Sequence, residues 1–111
     1  MPWHQDAAYP GSVDLLKIWM PLDPATPENG CLHFIPGSHL GGIEPHRPYE
    51  GSGLVAQEVD TSQAVVCPLP PGGATVHHCY TLHYSRPNQT DSQRRALVIS
   101  CRAVESESIE Q

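Results

Sequence analysis

The sequence predicts an all-β fold, an antiparallel sandwich or barrel of short strands, on three observations. Twelve prolines and nine glycines in 111 residues break the chain too often for long helices. Between those breakers lie short runs rich in β-branched, aromatic and other apolar residues. Turn signals such as Pro70-Pro71-Gly72-Gly73 separate the runs at close intervals.

In chain order, strands are expected over Trp3–Asp6, Leu15–Leu22, Cys31–Ile35, Ala64–Cys67, Ala74–His78, Thr81–Ser85 and Arg95–Arg102. A weaker strand is expected near Leu54–Val59. Gly41–Gly53 is rich in glycine and proline and reads as a mobile loop over one end of the sheet. The length suits one domain, residues 1–104, followed by an acidic and polar tail, 105–111, that is expected to fray. Nothing precedes the first strand to pair with it or to cover the sheet. The fold is therefore expected to be incomplete at its N-terminal side, as the C-terminal part of something larger.

Composition narrows the function. A net charge of −6 with six Lys and Arg residues argues against nucleic acid and against an anionic membrane surface. The longest apolar runs are too short to span a bilayer, and no signal-peptide pattern follows Met1. Cys31, Cys67, Cys79 and Cys101 contain no Cys-x-x-Cys pair and sit in apolar stretches, which reads as reduced core thiols in a cytoplasmic protein.

Seven histidines prompt a search for metal ligands. His4 and Asp6 are two apart, and on a strand residues i and i+2 share a face. Imidazole and carboxylate can then converge on one cation, with Fe(II), Mn(II) and Zn(II) all suited to the pair. A third ligand would complete a facial triad with open positions. By residue type, His33, His39, His46, His77, His78 and His83 are all candidates.

Three blocks carry a family resemblance: Trp3-His4-Gln5-Asp6-Ala7-Ala8-Tyr9, Thr26-Pro27-Glu28-Asn29-Gly30-Cys31-Leu32 and Ile35-Pro36-Gly37-Ser38-His39. With His83-Tyr84-Ser85, Pro87-Asn88 and Arg94-Arg95-Ala96-Leu97, the chain resembles the phytanoyl-CoA dioxygenase family over nearly its whole length. The resemblance implies a double-stranded β-helix (a jelly roll), Fe(II), and 2-oxoglutarate as cosubstrate. It puts the iron triad on His4, Asp6 and His83, with His78 as the runner-up ligand. Arg94 matches the family's clamp for the far carboxylate of 2-oxoglutarate, a natural use of a guanidinium fork.

Strand parity supports that choice. Arg94 shares a face with Ala96, Val98 and Ser100, a small set suited to lining a cavity, while Arg95 shares the other with Leu97, Ile99 and Cys101. Ser85 falls on the His83 face and is placed to bind the same carboxylate. Trp19 matches a tryptophan that lines the cosubstrate pocket, with core packing as its other reading. Lys17 shares the Trp19 face and is expected to snorkel to solvent. The Pro36-Gly37-Ser38-His39 turn is expected to be structural. Tyr84 replaces the family's usual glycine and is expected to crowd the site.

The implied activity is hydroxylation of a small organic substrate with O2, releasing succinate and CO2 from 2-oxoglutarate. Halogenase relatives lack the carboxylate ligand, so Asp6 favours hydroxylation. Two alternatives remain: a cupin-like metal-binding dioxygenase that does not use 2-oxoglutarate, and a truncated, non-catalytic remnant. A homodimer that covers the open edge is one arrangement open to the chain.

Overall fold

The computed structural model describes residues 1–50 and 53–104, so the tail at 105–111 lies outside the described residues. Eight strands occur among them: β1 Leu15–Pro21, β2 Leu32–Phe34, β3 His46–Pro48, β4 Leu54–Ala56, β5 Val65–Cys67, β6 Thr75–His78, β7 His83–Ser85 and β8 Ala96–Arg102. They form two three-stranded sheets, ordered β6-β1-β8 and β5-β2-β7, and a separate β3-β4 hairpin. Every pairing is antiparallel, and the two sheets form a jelly roll.

The core lies between the sheets. Trp19 of β1 and Leu32 of β2 meet there with Ala25 and Cys31, and Phe34, Leu69 and Ala96 pack against them. Alternation along β1 explains this. Lys17 and Trp19 point inward, while Leu16, Ile18 and Met20 lie outward opposite Cys101, Ile99 and Leu97 of β8. Leu16, Val76, Leu97 and Ile99 are exposed on that outer face. Cys101 is exposed there too, contrary to the expectation of a core thiol, and Cys67 is half-buried. Cys31 and Cys79 are fully buried, and all four are unpaired.

The turn at Pro70–Gly73 forms as its residues dictate. The Gly73 N–H donates to the Pro70 carbonyl at 3.0 Å, and Gly72 sits at φ 83°, the conformation a type II turn needs at that position. Two expectations need correction. Trp3–Asp6 is not a full strand. His4 makes a single antiparallel bridge with His83, and the chain then tightens into a 3-10 turn over Asp6–Ala8. That turn closes through N–H donation from Ala8 to Gln5 and from Tyr9 to Asp6. The Gly41–Gly53 stretch is also not all loop, because His46–Pro48 pairs with Leu54–Ala56. Pairing to β4, not local propensity, makes His-Arg-Pro a strand.

Candidate functional site

Backbone pairing brings two distant stretches of the chain together at the site. The His4 N–H donates to the His83 carbonyl at 3.0 Å, and the His83 N–H donates back at 3.1 Å. A directly opposed, doubly bonded pair projects both side chains to one face. The two rings accordingly lie 4.2 Å apart. Gln5 is extended, at φ −118° and ψ 132°, so Asp6 returns to the His4 face before the 3-10 turn begins.

Both rings are locked by their second nitrogen. His4 Nδ1–H donates to the Pro2 carbonyl at 2.8 Å, and His83 Nδ1–H donates to the Thr81 carbonyl at 2.9 Å. Each ring then turns its Nε2 toward Asp6 Oδ1, at 3.4 Å from His4 and 3.6 Å from His83. Burial pushes the His83 imidazole down to about 4, and the neighbouring His4 adds to that, so His83 is neutral near pH 7. Burial pushes the Asp6 carboxyl up. Contacts with His4 and His77, with the nearby His83 adding to them, outweigh it and hold the carboxyl well below the usual carboxylate range.

This donor set fits a cation. Two ring Nε2 atoms converge on one carboxylate oxygen, a set of three donors that a cation can share. The three ligand atoms lie within 4.8 Å of one another. Adjacent donors around an octahedral ion with bonds of ~2.1 Å stand ~3 Å apart, so small shifts close the site. Two imidazoles and one carboxylate with open positions match a non-haem Fe(II) centre.

Beside the donors lies a cavity of about 250 Å³, walled by Trp19, Leu32 and Val98 and carrying Lys17, Ser85 and Arg94. The Arg94 guanidinium lies over the Trp19 ring at 5.3 Å, and its Nε–H donates to the Asn29 carbonyl at 3.4 Å. Arg95 turns away and forms a two-pronged pair with Asp23, both contacts at 3.0 Å. Trp19 is at once core and cavity wall. Lys17 lines the cavity, and its ammonium donates to Ser100 Oγ at 2.8 Å at an exposed position. A larger hollow of about 430 Å³ lies on the far side of His77, but it has none of the converging triad donors.

Other expectations change. His78 is not placed as a ligand. It lies one residue from the inward-facing His77, and its Nδ1 accepts from the Tyr80 N–H at 3.0 Å. Tyr84 does not crowd the donors. It alternates to the other face of β7, stacks on Trp3 with ring centres 5.4 Å apart, and meets His33 edge-on. The Pro36–His39 turn ties elements together, with Ser38 Oγ donating to the Ile35 carbonyl and accepting from the Leu82 N–H.

Sequence reasoning gave Gln5 no role and offered His46 only as a ligand candidate. Gln5 is fully buried, donating to the Gly42 and Tyr80 carbonyls at 2.8 and 2.7 Å and accepting from the Glu44 N–H at 2.8 Å. His46 accepts the Gln5 backbone N–H at 3.0 Å. The available signal was Gln5's position between two ligand candidates, where its opposite orientation needs partners on the other side.

The profile of the family described as phytanoyl-CoA dioxygenase (PhyH) matches residues 1–96. A probable alpha-ketoglutarate-dependent hypophosphite dioxygenase from Stutzerimonas stutzeri is 33% identical over 94% of this chain and 40% of its own length. EvdO2 from Micromonospora carbonacea var. aurantiaca is 44% identical, with a TM-score of 0.82 over 96% of this chain and 48% of its own. The EvdO2 structure complexed with 2-oxoglutarate gives 0.81. The chain thus spans less than half the length of these relatives. It belongs to the phytanoyl-CoA dioxygenase family.

Proposed function

We propose that this chain is the metal- and cosubstrate-binding core of an Fe(II)- and 2-oxoglutarate-dependent dioxygenase that hydroxylates a small organic substrate. O2 and 2-oxoglutarate would be consumed, with release of succinate and CO2. The observation that carries the proposal is the convergence of His4 Nε2, His83 Nε2 and Asp6 Oδ1 beside a cavity that holds Arg94.

His4, Asp6 and His83 would hold the iron, each ring fixed by its Nδ1–H bond to a carbonyl. Bound Fe(II) and 2-oxoglutarate supply the activation of O2. The chain's residues then have to bind and orient. Arg94, held flat by Trp19, would receive the far carboxylate of 2-oxoglutarate, with Ser85 as a second donor. Trp19 and Leu32 would keep water from that end of the cavity. The four unpaired thiols support a reducing, cytoplasmic setting. No helix among the described residues is long and apolar enough to cross a membrane.

The test is an anaerobic titration of the chain with Fe(II) and then 2-oxoglutarate, followed by absorbance. A weak visible charge-transfer band is expected, and Asp6→Ala should abolish it. A folded chain without the band would favour a non-catalytic remnant. Turnover that ignores the omission of 2-oxoglutarate would favour the cupin-like alternative.

A further inference from the structure

A third histidine lies at the site with no assigned task. His77 of β6 is more than nine-tenths buried, and both of its ring nitrogens lack a hydrogen-bond partner among the described residues. Buried polar atoms of this kind are rare in folded proteins and call for a reason. Its surroundings supply one candidate. His77 Nε2 points at Asp6 Oδ2 from 3.7 Å, while Asp6 Oδ1 faces His4 and His83. The two carboxylate oxygens are thus divided between different neighbours. The other groups near the ring are Phe34 at 5.0 Å, His83 at 4.6 Å and Lys17, its register partner on β1. The Lys17 ammonium is already engaged with Ser100.

We propose that His77 is a positioning residue. Its Nε2–H holds Asp6 Oδ2 and leaves Oδ1 alone to face the metal. Closing 3.7 Å to an ordinary hydrogen-bond length of ~2.9 Å takes only a small side-chain rotation. A carboxylate fixed in this way binds through one oxygen, which keeps positions open on the ion. Residues that orient a metal ligand typically influence affinity by about 10–100-fold. The inference rests on the metal-binding reading above.

The test is Co(II) binding to the full chain, measured by calorimetry and by the visible spectrum of the bound ion. His77→Phe keeps the ring's bulk and removes the donor. It should weaken Co(II) binding about 10–100-fold and change the spectrum as the carboxylate swings to bind through both oxygens. His77→Gln, which restores a donor at the same reach, should recover most of both. Should His77→Phe not fold, His77→Leu carries the same expectation. Pulsed EPR of the Fe(II)–nitrosyl complex should count two bound imidazoles in the wild type.

Wild-type affinity and spectrum in His77→Phe would overturn the proposal. So would a His77→Gln variant that is folded and as weak as His77→Phe, since loss of packing would then suffice. Three imidazoles in the wild type would make His77 a ligand and overturn it as well. A wild-type chain that binds no Co(II), or binds it equally after Asp6→Ala, sinks the metal reading together with this one. Failure confined to His77 sinks this one alone.

Discussion

At Gly30 the backbone sits at φ 105°, where a Cβ would stand 2.8 Å from the Arg86 carbonyl oxygen and 3.4 Å from Arg94 Nε. A side chain there is strained twice, by its own dihedral and by a backbone atom that cannot yield. Gly30→Ala is expected to cost about 1–3 kcal/mol of stability in chemical denaturation and to displace Arg94 from Trp19. Arg94→Ala tests the neighbouring claim. Removing a charge-assisted contact worth about 1.5–3 kcal/mol should raise the 2-oxoglutarate Kd about 10–100-fold, read from the charge-transfer band. Arg95 offers a contrast in pH. Its bond to Asp23 lowers that carboxyl to about 2 from an ordinary value near 3.8. The stabilisation is therefore present above ~3.8 and is lost as the pH falls through ~2. Arg95→Ala should be less stable than wild type at pH 6, with the gap closing toward pH 2 in thermal unfolding.

The assignment of Arg94 and Arg95 to opposite faces was legible in the sequence because the alternation of β8 carries back into the two residues that precede it. Parity also worked across His4-Gln5-Asp6, although that segment is one bridge and a turn, since only Gln5 had to be extended. It could not decide where register depends on a distant partner. β3 exists only through its pairing to β4, and which of His77 and His78 faces inward is fixed by the pairing of β6 to β1. Tyr84 was misjudged because its place was inferred from a missing glycine instead of from the alternation of β7. Gln5 was passed over because its partners, Gly42, Glu44 and Tyr80, lie far away along the chain. Gln5→Leu would leave two carbonyls and one N–H without their bonds. It should lower stability by about 2–4 kcal/mol in chemical denaturation and weaken metal binding, because the segment carrying both His4 and Asp6 loses its anchor.

Across the whole molecule, the β6-β1-β8 sheet turns an apolar face outward, with Leu16, Val76, Leu97 and Ile99 exposed together. A patch of this kind favours association in water. The isolated chain should show concentration-dependent self-association in sedimentation, and Val76→Thr combined with Leu97→Thr should reduce it. The other large-scale feature is the bridge between His4 and His83, which joins residues far apart along the chain. A cation shared by those two histidines acts as a clasp on a long loop. At a free metal concentration 100 times its Kd, such a ligand stabilises the folded state by about 2.7 kcal/mol, a rise in Tm of about 10–20 °C for a domain of this size. A chelator should reverse that rise. It should also loosen the segment from Trp3 to Tyr9, which the His4–His83 backbone pair, the Ala7–Cys79 bond and the Gln5 anchor would then hold without the metal. Metal status would then be written on the chain as susceptibility to proteases: a loaded molecule resists cleavage near its start, and an empty one is marked for degradation.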